Sequence, residues 1–212
     1  MMSSDSTISF WADWMRLQIR HNLDQIVADS IKDFHFPGLN YVCFQFTPHQ
    51  TIRLYIVRPE DHLHTNQVSI HNHLYDSQLL CLHGWLRNTV YRLNNTRDEY
   101  NLYHLTSALH PDNVDRKIRL DFLTCRGLDV VDRKILLPGD HHFQAHTEIH
   151  GVDNDPNCLT AWMVFEFPTV KQHSTLFSKE DLGITIPTPN AYNRYTHSGV
   201  RDLVMDLLGH IA

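Results

Sequence analysis

The apolar positions of the chain change their spacing near residue 40. Between Ile8 and about Phe34 they recur at intervals of three and four, which predicts helical structure. The phase breaks between Leu17 and Ile19, so the pattern fits either two short helices or one helix with a wide apolar face. We expect Phe36-Pro37-Gly38 to end this helical segment, because proline and glycine both interrupt helices.

Beyond residue 40 the chain becomes a succession of short apolar stretches separated by turn sequences such as Asn94-Asn95, Arg126-Gly127 and Pro138-Gly139-Asp140. The predicted strands are Tyr41–Phe46, Thr51–Val57, Val68–His73, Gln78–Leu82, Leu86–Leu93, Leu102–Leu105, Lys117–Thr124, Val130–Leu136, Glu148–Val152 and Leu159–Phe167. Short strands at such even spacing are typical of a sandwich or barrel rather than of an alternating α/β sheet.

The last part of the chain is looser after Pro168 and ends in an amphipathic stretch, Gly199–Ala212, that predicts a helix. The pattern as a whole therefore predicts an all-β barrel between helical ends. We expect a helical segment over residues 1–40 packed on the barrel, the barrel itself over 41–170, and a C-terminal extension over 171–212 that ends in the helix.

Charge and composition narrow the range of partners. The chain has 18 Lys and Arg against 24 Asp and Glu, a net charge of −6, which argues against a nucleic-acid partner. It contains no apolar run near the ~18 residues that a membrane helix needs, and its N-terminal residues lack the basic and apolar regions of a secretory signal. Its four cysteines form no CxxC pair. These features predict a soluble, cytoplasmic protein that binds neither nucleic acid nor membrane.

Histidine is unusually frequent, with 17 residues in the chain, and two segments space it as metal ligands would be spaced. His71-Asn72-His73 ends a predicted strand, and alternate strand residues share a face, so both imidazoles point the same way. A second segment, Pro138 to Val152, holds several more histidines. One inward imidazole from it would complete a three-histidine site with open coordination positions, as a catalytic metal requires. The alternative is that the pair is a chance feature of a histidine-rich chain.

These residues resemble the motifs of the cupins. The first cupin motif, HxH followed by a carboxylate and then by a glycine, is similar to His71-Asn72-His73 and Gly84. The second, a Gly-Asp turn leading to a ligand histidine, resembles Gly139-Asp140 through His150. Within the cupins, Ser69-Ile70-His71-Asn72-His73, Gly84-Trp85-Leu86 and His150-Gly151-Val152 are most similar to thiol dioxygenases of the cysteine dioxygenase type. The resemblance covers about residues 50–168.

The resemblance implies a double-stranded β-helix barrel, the jelly roll of the cupins, with Fe(II) held by His71, His73 and His150. It also marks where the chain departs from the thiol dioxygenases. Depending on the direction of counting, Ser77 or Gln78 occupies the carboxylate position, and Arg53 is the best upstream strand arginine for a substrate carboxylate. Three apolar residues occupy positions at which that subgroup has Ser, His and Tyr: Met163, Phe165 and Phe167. An apolar wall of this kind suits a larger or more apolar substrate than L-cysteine.

Three further residues are candidates around the proposed ligands. Glu148 precedes His150 by two residues and could share its face, and it and Gln78 are the candidates for a fourth polar contact with the metal. His146 is the best substitute for His150 as the third ligand. Solvated side chains are the alternative for both Glu148 and His146.

The sequence thus predicts a metal-dependent cupin oxygenase, a three-histidine Fe(II) dioxygenase that takes a small-molecule substrate and dioxygen. Zn, Ni and Mn are the other candidate metals. Two alternatives stay open. One is a non-catalytic small-molecule-binding or sensor cupin, and the other is a Zn or Mn cupin isomerase or hydrolase, which normally needs a carboxylate ligand.

Overall fold

The computed structural model of the chain describes residues 4–32, 38–47, 49–59, 70–106, 119–155, 157–171, 173–182 and 194–211. The helices in these residues are α1 (Ser4–His21), α2 (Leu23–Asp29) and α3 (His197–Ile211). The strands are β1 (Asn40–Phe46), β2 (Thr51–Val57), β3 (Ile70–His71), β4 (Ser77–His83), β5 (Leu86–Asn94), β6 (Tyr100–Thr106), β7 (Arg119–Leu136), β8 (His141–Gln144), β9 (Ile149–Asn154), β10 (Thr160–Glu166) and β11 (Ser174–Ser178).

The N-terminal apolar stretch folds as two helices rather than one. They meet at Asn22, whose backbone leaves the helical conformation and whose side-chain amide donates to Gln18 Oε1 at 2.6 Å. The predicted end of the stretch at Phe34 and the stop sequence at Phe36-Pro37 lie outside the described residues. None of the three described helices has the length and hydropathy required to cross a membrane.

The strands form two antiparallel sheets. The first has the order β1-β2-β10-β4-β8, and the second has the order β11-β3-β9-β5-β7-β6. The second sheet closes on itself, because β6 pairs with both β7 and β11. Two such sheets between helical ends make a jelly-roll barrel, so the predicted fold class is confirmed.

The central strands of the first sheet, β2, β10 and β4, are largely buried on both faces. The sheet's inner face packs Leu79 and Trp162 against Leu86 of the second sheet, while its outer face packs residues such as Leu54 against the helices, including Leu207 of α3. A strand that is covered on both sides reads as a continuous apolar run rather than as an alternating one. The helices therefore lie on one outer face of the barrel and leave its interior to the two sheets.

One strand differs from the prediction in length. The sequence predicts two strands, Lys117–Thr124 and Val130–Leu136, around a turn at Arg126-Gly127, but the described part, residues 119–136, is a single strand, β7. Its first half pairs with β6 and its second half with β5, so hydrogen bonds to two different partners hold it extended through the glycine. Gly127 packs closely there, since an added Cβ would lie 2.7 Å from Arg97 Cβ.

The remaining differences lie at strand and helix ends. Neither β8 nor β11 is among the predicted strands, and β11 pairs with β3 and β6, so strands of the barrel continue past the expected boundary at residue 170. The predicted strand Val68–His73 is longer than β3, which covers Ile70–His71: residues 68 and 69 lie outside the described part, and Asn72 and His73 follow the end of the strand. Helix α3 matches the predicted C-terminal helix, although Ala212 is not described.

Candidate metal centre

Three imidazoles converge at the short strand β3. His71 lies directly opposite His150 in the antiparallel pairing of β3 with β9, and opposite residues project from the same face of a sheet. His73 follows two residues after His71, and its ring centroid lies 4.7 Å from that of His71 and 5.0 Å from that of His150. One nitrogen from each ring can be chosen so that all three lie within 4.8 Å of one another. No other group of His, Cys, Asp or Glu in the described residues meets this condition.

The spacing of these nitrogens fits a single transition-metal ion. Neighbouring ligands of a six-coordinate ion with bonds of ~2.1 Å lie about 3.0 Å apart, and His73 Nε2 lies 2.9 Å from His150 Nε2. Ligands on opposite sides of such an ion are ~4.2 Å apart, so a trio within 4.8 Å needs only small side-chain rotations to share it. The imidazole donor set suits Zn, Cu, Fe and Ni.

A buried amide fixes the orientation of His150. Asn88 Oδ1 lies 2.7 Å from His150 Nδ1, and a carbonyl oxygen can only accept, so Nδ1 carries the proton and Nε2 presents its lone pair to the other two rings. The Asn88 amide nitrogen is in turn 3.0 Å from His142 Nε2 and donates to Glu148 Oε1 at 3.3 Å. An outer partner of this kind is typical of metal-binding histidines. Asn88 is 1% exposed.

The surroundings of His150 favour its neutral form. Burial, followed by the neighbouring His71, His73 and His142, holds the pKa of His150 well below its usual value. A neutral ring has a lone pair available at physiological pH, so His150 does not have to lose a proton before it binds a cation.

Glu148 does not lie with the three histidines. It is outside the group of converging donors, and its carboxylate contacts Asn88 and His142 instead. The loop before β9 breaks the strand parity that the prediction assumed, because β9 begins only at Ile149. Glu148 therefore reaches the cluster only through Asn88.

The first sheet contributes a buried ion pair to the barrel interior. Arg53 Nη1 lies 2.7 Å from Glu166 Oε1, and the side chains are 11% and 4% exposed. The same guanidinium donates to the hydroxyl of Tyr75 at 3.4 Å, and the Tyr75 ring lies 5.4 Å from the ring of His73. Arg53 is thus directed towards the side of the barrel that holds the histidines, as an arginine that binds a substrate carboxylate would have to be. Its charge, however, is balanced within the protein.

Met163, Phe165 and Gln78 need a correction, because the structure places them on the opposite face of the sheet. Met163 belongs to the core between the first sheet and the helices, and the Phe165 ring packs 4.9 Å from that of Trp11 in α1. Gln78 lies opposite Phe165 and so shares its face. Phe167 follows the end of β10 and is 40% exposed.

The prediction assigned alternate residues of β10 to the wrong faces of the sheet. Because successive strand residues point to opposite faces, an error of one residue exchanges the two faces. The inward residues of β10 are Trp162, Val164 and Glu166, and the first two belong to the core between the sheets. The expected apolar wall at Met163, Phe165 and Phe167 is therefore replaced by residues that include a charged one.

Ser77 and His146 lie near the segment that leads from His73 into β4. Ser77 is buried and donates to Gln144 Oε1 at 3.4 Å. His146 donates its backbone N–H to Asp76 Oδ1, and its ring Nδ1 lies 2.7 Å from the same oxygen. Neither residue is in the converging trio, so His146 does not substitute for His150 in this arrangement.

Sequence reasoning missed Asn88, Tyr75 and Glu166. Glu166 stands in the sequence as a charged residue at the end of an apolar strand, and a buried polar residue needs a partner, but that partner could not be named without the sheet pairing. Asn88 lies between Arg87 and Thr89, so nothing in the local pattern marks it as buried. Tyr75 lies in the segment between β3 and β4, where no periodicity applies.

No family model matches the sequence. No curated protein matches it either. Among solved structures, the chain is similar to the Fe(II) form of HppE, with 12% identity over 65% of this chain and 55% of that one and a TM-score of 0.37. It is also similar to hydroquinone 1,2-dioxygenase from Sphingomonas sp. TTNP3 with 4-hydroxybenzoate bound, with 9% identity over 70% and 74% and a TM-score of 0.37.

A third similar structure is a cupin superfamily protein from Desulfitobacterium hafniense DCB-2, with 9% identity over 61% of this chain and 77% of that one and a TM-score of 0.33. The chain spans just over half the length of HppE. At these identities the likeness concerns the fold alone, and the closer resemblance to thiol dioxygenases stays a prediction.

Proposed function

We propose that this chain is an Fe(II)-dependent oxygenase that holds its ion on His71, His73 and His150 and acts on a small molecule together with dioxygen. The observation that carries the proposal is the convergence of the three ring nitrogens within 4.8 Å of one another. The orientation of His150 by Asn88 supports it, because a core histidine without a ligand needs no such directed lone pair.

The donor set determines what kind of substrate fits. Three neutral imidazoles contribute no negative charge, so an anionic group of the substrate is the natural partner of the site. A divalent ion in this position supplies Lewis acidity and, if it is iron, redox chemistry towards dioxygen. The protein's contribution is to hold the three nitrogens in place and to keep His150 in a single tautomer through Asn88.

The surroundings of the trio argue against L-cysteine as the substrate. Arg53 is the candidate clamp for an amino-acid carboxylate, but its guanidinium already pairs with Glu166 and contacts Tyr75. Binding a second carboxylate there would bring it next to Glu166 and would place two like charges side by side. We therefore expect a substrate whose one anionic group is directed to the histidines and whose remainder is uncharged.

The isomerase or hydrolase alternative is less well supported. It calls for a carboxylate among the metal ligands, and the nearest candidate from the sequence, Glu148, contacts Asn88 and His142. A non-catalytic binding protein would keep the same three ligands, so only an activity measurement separates it from an oxygenase.

The test begins with the metal content of the purified protein and of the His71→Ala variant. The exposed His141, which lies outside the trio, provides a matched control as His141→Ala. We expect wild type and the control to bind one equivalent of Fe(II) at the trio and His71→Ala to lose it. Oxygen uptake is then recorded on addition of small thiols, phenols and carboxylic acids. Full metal content and full activity in His71→Ala would refute the site, whereas bound iron without any oxygen uptake would favour the binding protein.

A further inference from the structure

Four buried polar side chains form one row across the inner face of the first sheet. Glu166 of β10 lies opposite Thr51 of β2 on one side and opposite Ser77 of β4 on the other. Ser77 in turn lies opposite Gln144 of β8. Opposite residues project from the same face of a sheet, and Ser77 has the parity of Leu79, which packs against the second sheet. This polar row therefore faces the interior of the barrel, and its members are only 1% to 6% exposed.

The polar row lies at the same end of the barrel as the three histidines. Ser77 begins β4 four residues after His73. Gln144 ends β8 six residues before His150, and a short turn over residues 145–148, closed by a backbone hydrogen bond of 2.9 Å, joins the two strands. A small molecule held at the histidines of the second sheet would therefore face the polar row across the space between the sheets, which pack about 10 Å apart.

The amide of Gln144 has a donor without an acceptor. Its Oε1 accepts a hydrogen bond from the Ser77 hydroxyl at 3.4 Å, but its Nε2 is buried and has no hydrogen-bond partner in the described part of the chain. An unpaired buried donor is unfavourable, and a ligand or an ordered water commonly completes such a group. Since Gln144 is 2% exposed and faces the interior, its partner has to lie inside the barrel.

The charges around the polar row favour a neutral partner. The row contains one carboxylate, that of Glu166, and Arg53 balances its charge. A buried anion needs a cation to pair with it, and this arginine is already paired. The group that completes the Gln144 amide is therefore an uncharged oxygen. A hydroxyl fits better than a carbonyl, because its oxygen can accept from Gln144 Nε2 while its hydrogen is donated to Ser77 Oγ.

We propose that Gln144 is a specificity-determining residue that donates its amide N–H to a hydroxyl group at the end of the substrate remote from the histidines. The substrate class is then a small hydroxy acid, with its anionic group directed to the metal and its hydroxyl to Gln144 and Ser77. This inference rests on the function proposed for the three histidines and deepens it by naming the second polar group of the substrate.

The test measures, by titration calorimetry, the binding of matched pairs of small acids to the Fe(II)-loaded full chain without dioxygen. Each pair exchanges a hydroxyl for a methyl group of similar size: 3-hydroxypropanoate with butanoate, 4-hydroxybutanoate with pentanoate, 5-hydroxypentanoate with hexanoate, and 3-hydroxybenzoate with 3-methylbenzoate. We expect wild type to bind the hydroxy member of at least one pair about tenfold more tightly, because a methyl group leaves the buried amide unpaired. Gln144→Met should bind the two members within about twofold of each other and should keep the metal content of wild type.

Two further variants make the measurement specific to this amide. Ser77→Ala removes the hydroxyl that orients the amide and should lose part of the preference. Gln78→Met is the matched control, since it changes the same residue type on the opposite face of the sheet and should keep the whole preference. A urea midpoint measured for each variant establishes that it is folded.

The outcomes separate this inference from the function on which it rests. Loss of metal in His71→Ala, with loss of binding for both members of every pair, supports the metal centre alone. If metal-loaded wild type shows no preference for the hydroxyl in any pair, or if Gln144→Met keeps the preference, as it would if a buried water completes the amide, the role of Gln144 is overturned while the metal centre stands. A wild-type chain that binds no metal at the trio would refute the proposed function and this inference together.

Discussion

Replacing Arg53 by methionine should destabilise the fold by about 3–5 kcal/mol at neutral pH, because it leaves the carboxylate of Glu166 buried without its partner. Glu166→Gln should have a similar effect, since it leaves a buried guanidinium that cannot lose its proton. Replacing both residues by apolar ones, as Arg53→Met with Glu166→Leu, should be close to neutral or even stabilising. The two single effects are therefore expected to be strongly non-additive.

The two single variants should differ in their response to pH. Burial raises the pKa of Glu166, and Arg53 lowers it, so without Arg53 the pKa of this carboxyl rises further. A carboxyl with a raised folded-state pKa binds more protons in the folded state than in the unfolded state, and the stability it contributes is lost as pH rises through that pKa. The destabilisation of Arg53→Met should consequently shrink as pH falls from 7 towards 5, whereas that of Glu166→Gln should stay nearly constant.

Urea unfolding followed by tryptophan fluorescence at pH 7 and pH 5 measures all four proteins. Arg16→Met provides the control, because Arg16 and Asp13 form an ion pair of similar length, 2.8 Å, on the exposed face of α1 and its loss should cost less than about 1 kcal/mol. If Arg53→Met kept wild-type stability but lost substrate binding, the arginine would be a substrate clamp rather than the structural partner of Glu166.

Three further changes test other parts of the site. Asn88→Leu should weaken metal binding about 10–100-fold in a chelator competition, because it removes the group that orients His150, and an unchanged affinity would contradict that role. The backbone and ring N–H groups of His146 hold the pKa of Asp76 below its usual 3.8, so the stability that Asp76 contributes is present above pH 3.8 and lost as pH falls below it. The difference in urea midpoint between wild type and Asp76→Asn should therefore be larger at pH 6 than at pH 3, and a constant difference would count against the ionised pair. Met163→Ala should lose about 2–5 kcal/mol of stability without a change in metal affinity. A large effect on metal binding would instead indicate that Met163 is part of the site.

The metal ligands could be predicted from the sequence because their geometry is local. His71 and His73 are two residues apart, so strand alternation predicts that they share a face, and their rings do lie 4.7 Å apart although β3 itself ends at His71. His150 depended on the family resemblance, since nothing in the sequence states that β9 lies beside β3. That pairing is a contact between residues 79 positions apart in the chain, 150 − 71, and only the sheet order supplies it.

The lining of the barrel could not be predicted in the same way. Along β10, Ala161, Met163 and Phe165 face the helices, while Trp162 and Val164 face the second sheet. Both sets are apolar, so the hydrophobic pattern is equally consistent with either assignment of the faces, and an error of one residue exchanges them. The pairing of β10 with β4 also has a bulge between Ala161 and Trp162. This irregularity further weakens an assignment of faces that counts alternate residues along the strand.

The charged residue in β10 could have decided between the two assignments. Glu166 has the same parity as Trp162 and Val164, and a carboxylate on the inner face of the barrel needs a cation opposite it. Arg53 is the residue that the pairing of β2 with β10 places beside Val164, one position along the same face. Since the two charges cancel, they add no net charge to the interior, and histidines that bind a metal as neutral imidazoles add none either. The charge of a bound divalent ion would therefore have to be balanced by the substrate, which is why the proposed function specifies an anionic one.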